Sequence, residues 1–169
     1  HVHTELSLLD SATKFEDYIA KAVELGQTAI AFTEHGNIYQ WVAKKMACDK
    51  AGLKYLHGCE VYLTEKLLLT DPRTGEQNKV RDNYHTILIA KNYAGLQEMN
   101  ELISRSNQGD HFYYKPRITF DEFLGISSNV IKISACLASP LNRMSITHPM
   151  YERLLKHYDY LEIQAHDHP

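Results

Sequence analysis

The chain has 169 residues, 44% of them apolar and 23% charged, which suits one ordinary domain with a sizeable core and excludes a disordered chain. Its formal net charge of −3 argues against a broad nucleic-acid surface and leaves room only for local basic patches. Three widely spaced cysteines, Cys48, Cys59 and Cys136, with no CxxC pair, indicate neither a disulfide framework nor a zinc ribbon, so a reducing cytoplasm is the expected compartment.

Along the chain, helix and strand signals alternate. "TKFEDYIAKAVELG" offers Thr13 and Glu16 as a capping box, an apolar stripe of Phe15, Ile19, Ala22 and Val23, and Gly26 as a stop, which predicts a helix. Ala29 to Phe32 predicts a short strand ending in the polar tip "TEHGN". "NIYQWVAKKMACDKAG" reads as an amphipathic helix with Ile38, Trp41, Val42 and Met46 on one side and Gly52 at its end. "LKYLHGCEVYL" is a strand, and Thr64 to Asn83, containing "TDPRTGEQNK", is an exposed loop between strands. "YHTILIAKN" predicts a strand, "LQEMNELISRS" a helix, "NVIKISACLA" a strand, "HPMYERLLKHY" a helix and "YDYLEIQA" a last strand. Strands alternating with helices predict a parallel sheet, open or closed into a barrel. No apolar run of about 18 residues and no charged-then-apolar leader is present, so neither a membrane span nor a signal peptide is expected. With no initiator Met, the segment reads as cut from something longer.

Ten histidines are the compositional oddity. In a strand, residues i and i+2 face the same way, so His1 and His3 present two imidazoles side by side at a spacing that suits a metal ion. Asp10 can add an oxygen from the following loop, and Gly36 and Asn37 make a tight turn that exposes His35 at a strand end. Glu60 is a carboxylate in an apolar strand, costly to bury unless paired or coordinated, and His85 opens the next strand. Reactive groups of parallel α/β folds gather at the carboxyl ends of strands. A mixed nitrogen and oxygen set suits Zn, Mn or Fe better than Ca or Mg. His57, His111, His148 and His157 read as ordinary core or surface histidines, and on spacing alone Cys136 reads as a small core residue. The run "HFYYKPRITF", with Tyr113, Tyr114, Lys115 and Arg117, either stacks on bases and binds phosphate or is simply a packed loop.

The ordered set "HVHTELSLLD", "FTEHGN", "GCEVYL", "YHTILIAKN", "FYYKPRI" and "SACLA" resembles the PHP (polymerase and histidinol phosphatase) domain, in the branch found at the N-terminus of the bacterial DNA polymerase III alpha subunit. The resemblance runs over residues 1–169 and implies a distorted β/α barrel of seven strands. About six are present here, with the last cut off and the domain excised from a larger polymerase chain. It implies up to three divalent metal ions, of Zn, Mn or Fe, held by His1, His3, Asp10, His35, Glu60, His85 and Cys136. Cys136 fills a place that is histidine in stand-alone phosphatases of the family.

The implied chemistry is phosphoester hydrolysis by metal-activated water, with 3′-to-5′ proofreading exonuclease activity as the expectation. The alternatives are an inert scaffold that supports the polymerase and binds replisome subunits, or a free-standing phosphatase acting on histidinol phosphate. The parent chain would be a DNA-directed DNA polymerase, a nucleotidyltransferase whose palm carboxylates lie outside this segment. Implied partners are the rest of that chain, primer–template DNA through it, and a proofreading subunit, with no membrane. Two departures stand out: Glu34 replaces the family's usual Asp before His35, and the family's final Asp-x-His motif has no equivalent, "AHDHP" matching a different element. The segment alone is therefore expected to hydrolyse single-stranded DNA weakly or not at all.

Overall fold

Residues 1–164 are described by the computed structural model, and their regular structure begins with helix α1 (Phe15–Glu24), which buries Phe15, Ile19 and Ala22. The capping box expected from Thr13 and Glu16 does not form. Lys14 is the N-cap and makes no side-chain cap, while the Thr13 carbonyl accepts the Glu5 amide and ties down the preceding loop. Val23, expected on the buried stripe, is exposed. Strand β1 (Ala29–Phe32) falls where the sequence places it. Helix α2 (Trp41–Lys50) departs from its expected face: Val42 and Met46 are exposed, and Lys44 and Cys48 are buried. The cause is electrostatic, because Lys44 turns inward to meet the buried Glu34.

Strand β2 (Lys54–Thr64) is the longest strand, and the segment after it, expected as a plain loop, forms a hairpin of β3 (Leu68–Thr70) and β4 (Gln77–Lys79). Strand β5 (Tyr84–Ala90) leads to α3 (Tyr93–Ser106), whose first turn is capped by the Asn92 side chain accepting from the Gly95 amide. The aromatic-basic run forms a second hairpin, β6 (Phe112–Tyr113) and β7 (Lys115–Thr119), entering the short helix α4 (Phe120–Leu124). Here a capping box does form, between Thr119 and Glu122. Strand β8 (Val130–Ile133), α5 (Pro140–Arg143) and α6 (Tyr151–His157) complete the elements. The expected last strand, "YDYLEIQA", is reduced among the described residues to one parallel bridge between Ile133 and Tyr160.

The sheet is mixed rather than parallel. On one edge of β2 lie β1 and β7, both parallel; on the other lies β5, antiparallel, followed by antiparallel β8. The reversal of β5 matters to the chemistry, because it brings the amino end of that strand beside the carboxyl end of β2, with His85 opposite Tyr62. Beyond β1, the Thr33 amide donates to the Val2 carbonyl and adds the N-terminal segment to that margin; beyond β8, Tyr160 is added to the other. The two margins meet at His1 and Glu162, so the α/β sheet wraps toward a barrel, without continuous hydrogen-bonded closure among the described residues.

Two apolar clusters fix this frame. Phe15, Ile19, Ile30, Phe32, Cys48 and Leu53 pack α1 and α2 on β1. The larger one joins Leu63, Leu88, Met99, Ile118, Phe123, Leu154 and their neighbours under α3, α4 and α6. All three cysteines are free. No helix among the described residues is long and apolar enough to cross a membrane.

Candidate metal centre

The candidate residues arrive from separate elements, at strand ends, in turns and in the middle of β2. His1 and His3 come from the extended N-terminal segment beside β1, His35 from the turn after β1, Glu60 from mid-β2, His85 from the start of β5 and Cys136 from the turn after β8. They converge on one carboxylate. Glu60 is fully buried, and its oxygens lie 2.6 Å from His1 Nε2, 3.3 Å from His3 Nε2, 2.9 Å from His35 Nδ1 and 3.0 Å from His85 Nδ1. Asp10 Oδ2 stands 3.0 Å from the other nitrogen of His35, and Cys136 Sγ is 3.6 Å from His85 Nδ1. The His3 and His35 rings stack with centroids 4.0 Å apart.

A carboxylate this deep would normally resist ionisation, but the four imidazoles outweigh burial and hold its pKa far below the ordinary range. Burial likewise disfavours charge on His1, yet Glu60 and Glu162 raise its pKa to about 9. His85 reaches about 9 against burial through Cys136 and Glu60, and His85 in turn lowers the Cys136 thiol. Four ring nitrogens aimed at one buried carboxylate, with a carboxylate and a polarised thiol at the rim, form a donor set that fits divalent transition metals. His1, His3 and Glu60 can place one donor atom each within 4.8 Å of one another, and so can His3, Asp10 and His35.

Beneath the centre, Glu34 takes a structural part. Its buried carboxylate accepts from the Thr4 amide, the Thr4 hydroxyl, the Ser7 hydroxyl and Lys44 Nζ. Those bonds pin the loop between His3 and Asp10 to the end of β1. Backbone strain gathers here as well: Leu9, just before Asp10, and Ala135, just before Cys136, have φ of 67° and 57°, conformations that L-residues seldom adopt. Gly36, after His35, has φ 61°, and a Cβ there would collide with Pro116 of β7.

The structure thus brings together all seven candidates. The histidines set aside stay apart from them: His57 bonds Asn100, His111 meets Glu122, His148 meets Glu65 and His157 packs on Phe123. Arg117, grouped with the stacking and phosphate-binding run, is buried and spends its guanidinium on the carbonyls of Val80, Asp110 and His111, so it holds the hairpin instead. His166, Asp167 and His168 lie outside the described residues. Two neighbours escaped sequence reasoning. Tyr62 sets its hydroxyl 2.9 Å from His35 Nδ1, and Glu162 stands 2.9 Å from His1 Nδ1. The period-2 relation of Tyr62 to Glu60 was a signal for the first; nothing local signalled the second.

The family model of the PHP domain matches residues 1–166. The DNA polymerase III subunit alpha of Borreliella burgdorferi is 33% identical over 98% of this chain, and that of Aquifex aeolicus 32% identical over all of it. The chain spans about 15% of the length of either relative. Among solved structures, a protein provisionally described as a metal-dependent phosphoesterase, from Bifidobacterium adolescentis, superposes with a TM-score of 0.58 at 12% identity, covering 96% of this chain and 75% of its own.

Proposed function

The chain belongs to the PHP domain family, and on that premise we propose that it is the metal-dependent phosphoesterase module of a DNA polymerase III alpha subunit, removing nucleotides from the 3′ end of single-stranded DNA. The observation that carries this reading is the buried Glu60 carboxylate ringed by His1, His3, His35 and His85, a concentration of donors that an ordinary core has no use for. The likeness to alpha subunits over nearly the whole chain supports the polymerase as its setting.

His1, His3, Asp10, His35, Glu60, His85 and Cys136 would hold up to three divalent ions, of Zn, Mn or Fe. Bound there, such ions polarise a phosphate and make a water nucleophilic near neutral pH. The chain's own groups do the positioning. Glu60 fixes the imidazoles on a common centre, the Tyr62 hydroxyl steadies His35 at Nδ1, and Glu162 accepts from His1 Nδ1 so that Nε2 faces Glu60. Through the parent chain the partners are the rest of the polymerase, the primer–template and a proofreading subunit.

Elemental analysis of the purified chain, combined with release of the 3′-terminal nucleotide from labelled single-stranded DNA at high protein concentration, tests this. Bound transition metal with slow Mn-dependent release, both lost in His35→Ala, is the expected result. Metal without release would leave the domain as a scaffold, and absence of metal after incubation with Zn or Mn would remove the reading.

A further inference from the structure

Outside the metal-capable cluster, the hairpin of β6 and β7 makes an unusual surface. Its single turn residue, Tyr114, has φ 59°, the left-handed region that bulky side chains avoid, and the residue is 74% exposed. Nothing in the core needs that ring. Tyr113 lies beside it with centroids 4.6 Å apart, and the Arg81 guanidinium sits 5.6 Å from the Tyr114 ring. Arg81, Asn83, Tyr113 and Tyr114 line a pocket of about 420 Å³, and a neighbouring one joins Arg81 to Arg143 at the end of α5, with Asp82 the one acid between them.

Side-chain contacts through the buried Tyr62 link this surface to the cluster. Lys115, next to Tyr114, places its ammonium 4.3 Å from the centre of the Tyr62 ring, and the Tyr62 hydroxyl reaches His35. Arg143 comes from the helix that follows Cys136, and Arg81 from the segment that enters His85. One exposed tyrosine, Tyr114, beside the half-buried Tyr113, with exposed Arg81 and Arg143 and half-buried Lys115 around them, in a chain of net charge −3, matches one ligand chemistry: unpaired bases to stack and phosphates to neutralise.

We propose that Tyr113 and Tyr114, with Arg81, Lys115 and Arg143, form a platform that holds a single-stranded nucleic acid and leads its end past Tyr62 to the His35–Glu60 cluster. The proposal rests on the phosphoesterase reading for the direction of the strand, while the binding itself stands apart from hydrolysis. Stacking is sequence-tolerant, as an enzyme that meets any terminal nucleotide requires. The buried Arg117 lets the hairpin hold its shape while its tip stays free, because it anchors the β7 side to the carbonyls of Asp110 and His111.

The test is fluorescence anisotropy with a 5′-labelled oligothymidylate of about 12 nucleotides, in chelator so that nothing is cut. Tyr114→Ala is expected to weaken binding about tenfold. Tyr114→Asn, which is at ease in the left-handed backbone, should do the same and guards against a disturbed hairpin. An abasic strand of equal length should bind the wild type about tenfold more weakly and be indifferent to either substitution. Arg81→Gln should flatten the salt dependence by about 0.7 in log–log slope. Equal affinity of wild type and both Tyr114 variants for the oligothymidylate would overturn the proposal and mark the patch as a protein contact. The phosphoesterase reading fails separately: if the wild type loads no metal yet binds the strand in a Tyr114-dependent way, the platform stands and the hydrolytic role falls.

Discussion

His1 and Glu162 are 161 positions apart in the chain, and Nδ1 of one stands 2.9 Å from Oε1 of the other. The contact joins the two margins of the sheet at the point where the candidate metal donors collect. It also sets the ring of His1, since an imidazole that donates from Nδ1 offers Nε2 to whatever lies at Glu60. Glu162→Gln should therefore cost the chelated protein only the modest stability that the His1 pair supplies at neutral pH, while weakening Zn or Mn binding about tenfold to a hundredfold by calorimetric titration. Unaltered metal affinity would show that His1 needs no such support.

Among the described residues, the ionic partners of Glu60 are four imidazoles, with no lysine or arginine. Added metal at about a hundred times its dissociation constant should stabilise the wild type by about 2.7 kcal/mol, a rise in Tm of roughly 5–10 °C. In Glu60→Gln most of that rise should vanish. Thermal melts with and without chelator read the difference, and an equal metal-dependent shift in both proteins would mean that Glu60 is not a ligand.

The Glu34–Lys44 pair is almost wholly buried, with Nζ 2.5 Å from Oε1. Lys44→Met strands a carboxylate in the core, so urea unfolding should show a loss of about 3–5 kcal/mol. Adding Glu34→Gln removes the stranded charge and should recover part of the loss. A smaller penalty in the double variant than in the single one is the signature of a desolvated charge, and simple additivity would contradict it.

Glu122 links His111, Arg105 and the cap of α4. Burial would raise its pKa, but the Thr119 amide and His111 prevail and lower it. A lowered carboxylate stabilises the fold above its unfolded value near 4.5 and loses that contribution as the pH falls through the lower folded value. Stability measured from pH 6 downward should decline less steeply in Glu122→Gln than in the wild type. Parallel curves would dissociate the cap from acid sensitivity.

Much of this was legible in the sequence where the signal is local. The i, i+2 relation of His1 and His3, the Gly36 turn behind His35 and the lone acid in the apolar β2 run each report a group held at a defined angle to the backbone. Non-local facts were not legible. The direction of β5 cannot be read from "YHTILIAKN", which alternates equally well either way, yet that direction is what carries His85 to the centre. The face of α2 was misread because apolar counting overlooks a lysine that turns inward to a charge on another element. Thr13 and Glu16 had the spacing of a capping box, but the chain before α1 was committed to the loop that carries Asp10.

One edge of β2 is shared by three successive stretches: β1 along Lys54–His57, a single bridge from His35 to Glu60, and β7 along Tyr62–Thr64. The middle stretch is counted out to the residue, because the Glu34 carbonyl accepts the Glu60 amide and the Gly36 amide donates to the Glu60 carbonyl. One residue inserted between Phe32 and His35 would send the imidazole to the opposite face of the sheet, since strand side chains alternate. The β3–β4 hairpin hangs from the far end of the same strand and carries none of the seven donors. Length variation is thus partitioned along β2: free to accumulate at the hairpin, and intolerable by even one residue at the bridge.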